Sequence, residues 1–221
     1  MTEAEWETCA FPGRMLDHLV TRGGTTDRKL RLVACACLRL VWDSLPGPSV
    51  RAAVEVGEGF LDGEASLEEL NTARERAAPE ASGMSRSFWF GNEPTSRDVW
   101  YAVAMDRVGR RLDDVVAHYT WVNSSTRGVL AFRTRRRESQ LLRDIFGNPF
   151  RAPAIEPGWR SETARSLAVG IYADRAFDRL PILADALEEA GCDDAVTLSH
   201  CRGPGPHARG CWVVDLVLDK Q

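Results

Sequence analysis

Apolar side chains recur at helical spacing along most of this chain, and that pattern constrains the fold more than any other feature of the sequence. The clearest case is residues 28–45, where one face carries Leu30, Val33, Ala34, Cys37, Leu38 and Val41. Residues 211–218 fit a helix or a strand; we predict a helix, because a lone strand has no partner. The sequence therefore predicts an all-α fold: an irregular multi-helix bundle with a small helical C-terminal tail module. A solenoid-like arrangement of the helices is the alternative.

Breaks in this pattern suggest four regions within the 221 residues, a length that suits one or two domains. Residues 1–78 form an N-terminal helical region. Residues 79–96 are polar, glycine-containing and aperiodic, so we predict a loop or linker there. Residues 97–150 should form long central helices, and residues 151–221 a C-terminal helical module.

The segment from Phe146 to Phe150 predicts an abrupt helix end. Gly147 and Asn148 tolerate the left-handed backbone conformation best, so one of them should adopt it. We expect both phenylalanines to be buried, one on either side of this turn.

The tail concentrates side chains that can hold a metal. The spacing Cys192-x8-Cys201-x5-His207-x3-Cys211 offers four zinc ligands, with His200 as a spare. A site of this kind would be structural, because four protein ligands leave no open position. The rival interpretation is that these cysteines fill the apolar core, since the Cys-x2-Cys pair typical of zinc sites is missing.

We find no sequence motif for a nucleophile elbow, a phosphate loop, a zincin or a dinucleotide turn. One catalytic interpretation remains, in which Cys201 or Cys211 is a thiolate with His200 or His207 as its base. Because adjacent residues on a helix point apart, His207 suits Cys201 better than His200 does. We therefore expect no catalytic residues and no cofactor, with zinc as the alternative.

The charge distribution bears on nucleic-acid binding. The net charge of −4 argues against a protein that coats nucleic acid. A basic patch nevertheless lies between Arg127 and Arg143, and its densest part consists of Arg133, Arg135, Arg136 and Arg137. These four are the candidate nucleic-acid contacts. Our expectation is that they pair instead with the acidic tail or with solvent.

Several stretches resemble one family. They are the Ile-Phe-Gly-Asn-Pro-Phe-Arg run at 145–151, the Tyr-Ala-Asp-Arg-Ala-Phe-Asp run at 172–178, residues 181–194 and residues 200–218. On these the chain resembles a large uncharacterised family of planctomycete-type bacterial proteins, and its opening up to Trp6 looks similar as well. Residues 183–191 also resemble a small repeat-companion domain of such bacteria. The resemblance implies a bacterial context and no particular chemistry.

The N-terminus has no signal-peptide pattern and no apolar run approaches 18 residues, so we expect a cytoplasmic protein without membrane contact. The six cysteines should then be thiols or ligands. We expect a non-catalytic helical interaction or adaptor protein with a protein partner. The alternatives are a structural zinc-binding protein and a nucleic-acid binder.

Overall fold

The computed structural model describes residues 1–23, 25–40, 42–45, 47–89, 129–151 and 154–220. Within these ranges all regular structure is helical and no residue lies in a strand, which confirms the predicted all-α class. No helix there is both long enough and apolar enough to span a bilayer. The α-helices are α1 (Glu3–Thr8), α2 (Pro12–Arg22), α3 (Asp27–Arg39), α4 (Pro48–Leu61), α5 (Leu67–Trp89), α6 (Val129–Phe146), α7 (Glu162–Asp174), α8 (Leu180–Glu189), α9 (Ala195–Arg202) and α10 (Trp212–Leu218).

The chain forms two compact units. Unit 1 contains Thr8–Ser139 together with Met1, and unit 2 contains Thr2–Glu7 and Gln140–Gln221. The chain therefore leaves unit 2 within α1 and returns to it within α6. Unit 2 begins before the expected tail module at residue 151, and it includes an N-terminal segment that the sequence placed elsewhere.

In unit 1, capping side chains define the helix starts that the sequence predicts. The Thr26 hydroxyl accepts the Lys29 N–H at 3.3 Å and begins α3. The Glu69 carboxylate accepts the Ser66 N–H at 2.7 Å, and the Ser66 hydroxyl accepts the Glu69 N–H at 3.2 Å. Each such cap satisfies helix N–H groups that have no partner in the first turn. A core joins α3, α4 and α5 through Cys35, Leu38, Leu45, Val50, Ala53, Val54 and Ala77.

The predicted loop at 79–96 needs correction over its first part. Helix α5 continues through Pro79 to Trp89, and residues 90–96 lie outside the described residues. A tertiary contact accompanies this continuation: the Glu80 carboxylate accepts the Ser49 N–H at 3.2 Å and the Ser49 hydroxyl at 2.9 Å. These bonds hold Glu80 against the first turn of α4, so the helix persists where proline removes one of its own bonds. Of the predicted central helices, residues 97–128 lie outside the described part.

In unit 2, the end of α6 follows the expectation closely. Gly147 has a φ of +67° and ends the helix in the left-handed region. Phe146 is buried as expected, whereas Phe150 is only half-buried. The predicted helix at 211–218 is also confirmed as α10. Its N-terminal end packs close to Gly147, where a side-chain carbon would lie 3.3 Å from the Trp212 ring.

The core of unit 2 consists of one apolar cluster shared by α7, α8, α9 and α10. Helices α8 and α9 pack together, and α7 packs against both α8 and α10. Its fully buried members include Ala164, Ala168, Leu180, Leu183, Ala184, Leu187, Val213, Val214 and Val217. This cluster holds α9 and the N-terminus of α10 in place, and these two elements carry the candidate site.

Candidate metal centre

Four side chains from separate elements of unit 2 converge on one point. They are Asp144 in the last turn of α6, His200 on α9, His207 in the following loop and Cys211 at the N-cap of α10. One ligand atom from each lies within 4.8 Å of the ligand atoms of the other three. This is the composition of a mixed carboxylate, imidazole and thiolate metal site.

The Asp144 carboxylate lies at the centre of the cluster, with only 2% of the residue exposed. Its Oδ1 is 2.6 Å from Nδ1 of His207 and 3.1 Å from Nε2 of His200. Its Oδ2 accepts the Ala208 backbone N–H at 2.9 Å. The backbone bond orients the carboxylate, so that Oδ1 faces the two imidazoles.

The His207 ring is held in a defined orientation. Its Nε2 lies 3.3 Å from the Gly203 carbonyl oxygen, which can only accept a hydrogen bond, so Nε2 carries a proton. Nδ1 faces the Asp144 carboxylate, which also accepts, so Nδ1 carries a proton in this contact and would have to release it to bind an ion. A metal-binding histidine is commonly fixed in this way by a carbonyl partner on its second nitrogen.

A glycine explains why the loop can fold His207 back. Gly205 has a φ of +76°, which L side chains rarely adopt. A side-chain carbon there would lie 2.9 Å from the His207 backbone nitrogen and 3.0 Å from Cδ2 of its ring. Only glycine at this position lets the backbone pass so close to the imidazole.

The contacts of His200 do not form a catalytic relay with Cys211. In such a relay one ring nitrogen takes the thiol proton and the other holds the carboxylate. Here Sγ of Cys211, at 3.2 Å, and Oδ1 of Asp144 both lie against the same atom, Nε2 of His200. His207 has other partners on both nitrogens, and Cys211 is 0% exposed. The arrangement matches groups that converge on one shared centre, and the thiolate–imidazole interpretation stays a prediction.

The charges of the cluster depend on one another. Burial disfavours ionised Asp144, but hydrogen bonds and charge from His200 and His207 outweigh it and lower the pKa of the carboxyl. Burial likewise disfavours protonated His207, yet the contact with Asp144 raises the pKa of its ring. Burial, together with the Asp144 charge, raises the pKa of the Cys211 thiol well above its usual value. A divalent cation among these groups would reverse this effect on the thiol, because coordinated thiols deprotonate.

The spacing is close to that of a tetrahedral site. Metal bonds of the usual zinc lengths place tetrahedral ligand atoms about 3.3–3.6 Å apart. Three contacts within the cluster are 2.6, 3.1 and 3.2 Å long, and all four ligand atoms lie within 4.8 Å of one another. Shifts of about 1 Å would therefore bring all four atoms to bonding distance around one ion.

Of the sequence-predicted ligands, the structure brings together His207 and Cys211, with the spare His200 beside them. Cys192 and Cys201 lie instead in the apolar core of unit 2, at 3% and 0% exposure. Burial, together with the charge of Asp144, raises the pKa of the Cys201 thiol to about 12. The fourth member, Asp144, has no sequence signal, because it lies far from the tail in the chain and follows no ligand spacing.

Asp194 fixes the helix that carries His200. Its carboxylate accepts the N–H groups of Val196 and Thr197, at 3.4 and 3.0 Å, and begins α9. Replacing such a cap by alanine costs about 1 kcal/mol, so Asp194→Ala should lower the free energy of unfolding by that amount. Although partial burial opposes it, a hydrogen bond from the Thr197 hydroxyl and these two backbone bonds lower the pKa of Asp194. The contribution is therefore present above the unfolded-state pKa of about 3.9 and is lost as pH falls through the lower folded value.

Denaturant unfolding of Asp194→Ala and the parent at neutral pH and near pH 3 measures this difference. Asp193→Ala is the matched control, because Asp193 is exposed and makes no capping bond to α9. A gap between Asp194→Ala and the parent that stays constant down to acid pH would contradict the assignment.

The predicted nucleic-acid residues lie on α6. Arg136 and Arg137 are exposed and Arg135 is half-buried, whereas the Arg133 side chain and Arg127 lie outside the described residues. Arg143, at the end of the same patch, is engaged by the chain itself: Nε and Nη2 donate to the Trp6 carbonyl oxygen at 2.9 and 2.7 Å. Nucleic-acid binding stays a prediction.

Comparisons of the chain with protein-family models, with curated proteins and with solved structures find no match.

Proposed function

We propose that this protein binds one zinc ion through Asp144, His200, His207 and Cys211, and that the ion has a structural role in unit 2. The observation that carries the proposal is the convergence of these four ligand atoms within 4.8 Å. Two neighbouring bonds support it. The Ala208 N–H orients the carboxylate and the Gly203 carbonyl fixes the His207 ring, as outer partners do in metal sites.

The ligand chemistry favours zinc. Magnesium and calcium prefer sites built from oxygen atoms, whereas this cluster has one carboxylate, two imidazoles and one thiol. Zinc accepts all three ligand types in a tetrahedron. Because the protein supplies four ligands, no position is left for a substrate or an activated water. The ion would join the end of α6, α9, the loop after it and the start of α10.

Metal analysis of the purified full-length protein tests the proposal. We expect about one zinc ion per chain after incubation with zinc and removal of the excess, as four-ligand structural sites bind it. Cys211→Ser and His207→Ala should each reduce the zinc content sharply. X-ray absorption should show one sulfur neighbour at about 2.3 Å and three nitrogen or oxygen neighbours at about 2.0–2.2 Å.

Cys201→Ala is the matched control, because it removes another fully buried thiol of the tail that is not among the four converging ligands. It should keep the full zinc content. Loss of zinc in this variant, together with three sulfur neighbours in the absorption spectrum, would favour the cysteine-rich set that includes Cys192. A parent protein without zinc would reduce the cluster to a buried hydrogen-bond network and overturn the proposal.

The interaction or adaptor role stays a prediction, since none of these contacts identifies a partner.

A further inference from the structure

We infer that the metal centre controls the docking of the N-terminal helix α1, so that α1 acts as a latch that closes on unit 2 when the ion is bound. This inference rests on the proposed zinc site and adds its regulation. It arises because the last turn of α6 and the turn after it carry both a metal ligand and the groups that hold α1.

Helix α1 depends on its contacts with the rest of unit 2. It has six residues, and isolated helices of that length are not stable in water. A capping box supports its first turn, with the Thr2 N–H donating to Glu5 at 2.7 Å. Trp6 is its one buried residue, at 1% exposure. The position of the helix is therefore set by Trp6 and by a few polar bonds.

The bonds of Glu3 and Trp6 reach the end of α6 and the turn after it. The Trp6 indole N–H donates to the Gly147 carbonyl oxygen at 3.1 Å. Two N–H groups of the Arg143 guanidinium donate to the Trp6 carbonyl oxygen. The Asn148 amide donates to Glu3 at 2.7 Å. Asp144 lies within this stretch, directly after Arg143, and points to the metal centre.

A second connection runs through Trp212. Its ring lies against Gly147, where an added side-chain carbon would meet it at 3.3 Å. The same ring is 5.2 Å from the His200 ring, and Trp212 directly follows Cys211 in the chain. An ion bound to Asp144 and Cys211 would thus tie the last turn of α6 to the start of α10. The end of α6 is also where the hydrogen bonds of Trp6 are made, to Gly147 and from Arg143.

The coupling acts in both directions: bound zinc favours docking of α1, and docking of α1 favours zinc binding. Without the ion, the end of α6 is held less firmly, and the Gly147 carbonyl and the Arg143 side chain lose their fixed positions against Trp6. Helix α1 should then open more often. By linkage, the factor by which bound zinc favours docked α1 equals the factor by which docked α1 strengthens zinc binding.

Hydrogen exchange on the full-length protein, with about one equivalent of zinc or with a chelator, tests the latch. We expect amides of α1 to exchange faster in the chelated sample, by about 5- to 150-fold, the usual range of coupling between two sites. The zinc content of the same samples is measured in parallel. Bound zinc with unchanged exchange in α1 would overturn the latch and leave the zinc site standing. Absence of bound zinc would overturn both.

A second experiment titrates variants of α1 with zinc, because docking of α1 should in turn strengthen zinc binding. Trp6→Phe keeps an aromatic ring in the buried position and removes the N–H that reaches Gly147. We expect about two- to fivefold weaker zinc binding, in line with the loss of one hydrogen bond from the docked state. Glu7→Gln is the control on the same helix, because Glu7 is exposed, and it should bind zinc like the parent. Equal affinity in Trp6→Phe and Glu7→Gln would contradict the coupling.

Discussion

Adding zinc to the metal-free protein should raise the free energy of unfolding of unit 2 by about 4 kcal/mol when free zinc is 1,000 times its dissociation constant. The physical reason is that the four ligands come together only in the folded chain, so binding energy adds to folding energy. Part of that energy replaces existing contacts, such as the one between Asp144 and His207 at 2.6 Å. The gain should grow with the logarithm of the zinc concentration.

Denaturant unfolding at several zinc concentrations measures this gain, and the transition of unit 2 is identified by hydrogen exchange. Cys211→Ser should lose the zinc dependence, because zinc requires the thiolate, while Cys201→Ala should keep it despite a lower baseline stability. Equal midpoints for the parent with zinc and with chelator would contradict a structural ion. A gain of similar size in Cys211→Ser would place the ion elsewhere.

Replacing Phe146 by alanine should cost roughly 3–5 kcal/mol of unfolding free energy, the usual range for a buried phenylalanine. Phe146 is 9% exposed and occupies the last position of α6, directly before the left-handed Gly147. Truncating its ring removes apolar contacts and leaves a cavity beneath the turn that supports α1 and follows Asp144. We therefore expect a loss of zinc affinity along with the loss of stability.

Phe150→Ala serves as the matched control, because the same ring is removed from a half-buried position on the far side of the turn. Its cost in unfolding free energy should be clearly smaller. Denaturant unfolding of both variants measures the two costs. A Phe146→Ala variant as stable as the parent would contradict the structural role of this turn and would favour a binding role for the ring.

The beginnings and ends of several helices can be predicted from single residues and short spacings in the sequence. Capping side chains such as Thr26 and Asp194 occur where α3 and α9 begin, and Gly147 ends α6. These signals work because a cap or a left-handed glycine acts within a few residues of the chain. The continuation of α5 past Pro79 was missed, since its support from Ser49 comes from a different helix.

Only half of the candidate site could be predicted from the sequence, for a related reason. His207 and Cys211 share a short segment, and their spacing indicated a ligand pair. Cys192, Cys201 and Cys211 have equally suitable chemistry and all border the apolar core, and only the fold shows that Cys211 alone of the three meets Asp144 and the histidines. Asp144 was not detectable, because a carboxylate in a charged helix has the same sequence signal whether it is solvated or buried.

By itself, then, the sequence determined the helical class, the helix at 212–218 and a tail rich in metal-binding side chains. The tertiary structure decided which of those side chains meet, and it added Asp144 from α6 and the contact of Trp6 with Gly147. The physical reason is the distance along the chain over which each interaction acts. Helix periodicity and capping depend on neighbours along the chain, whereas a metal centre depends on the folding of distant segments onto one another, which no local spacing records.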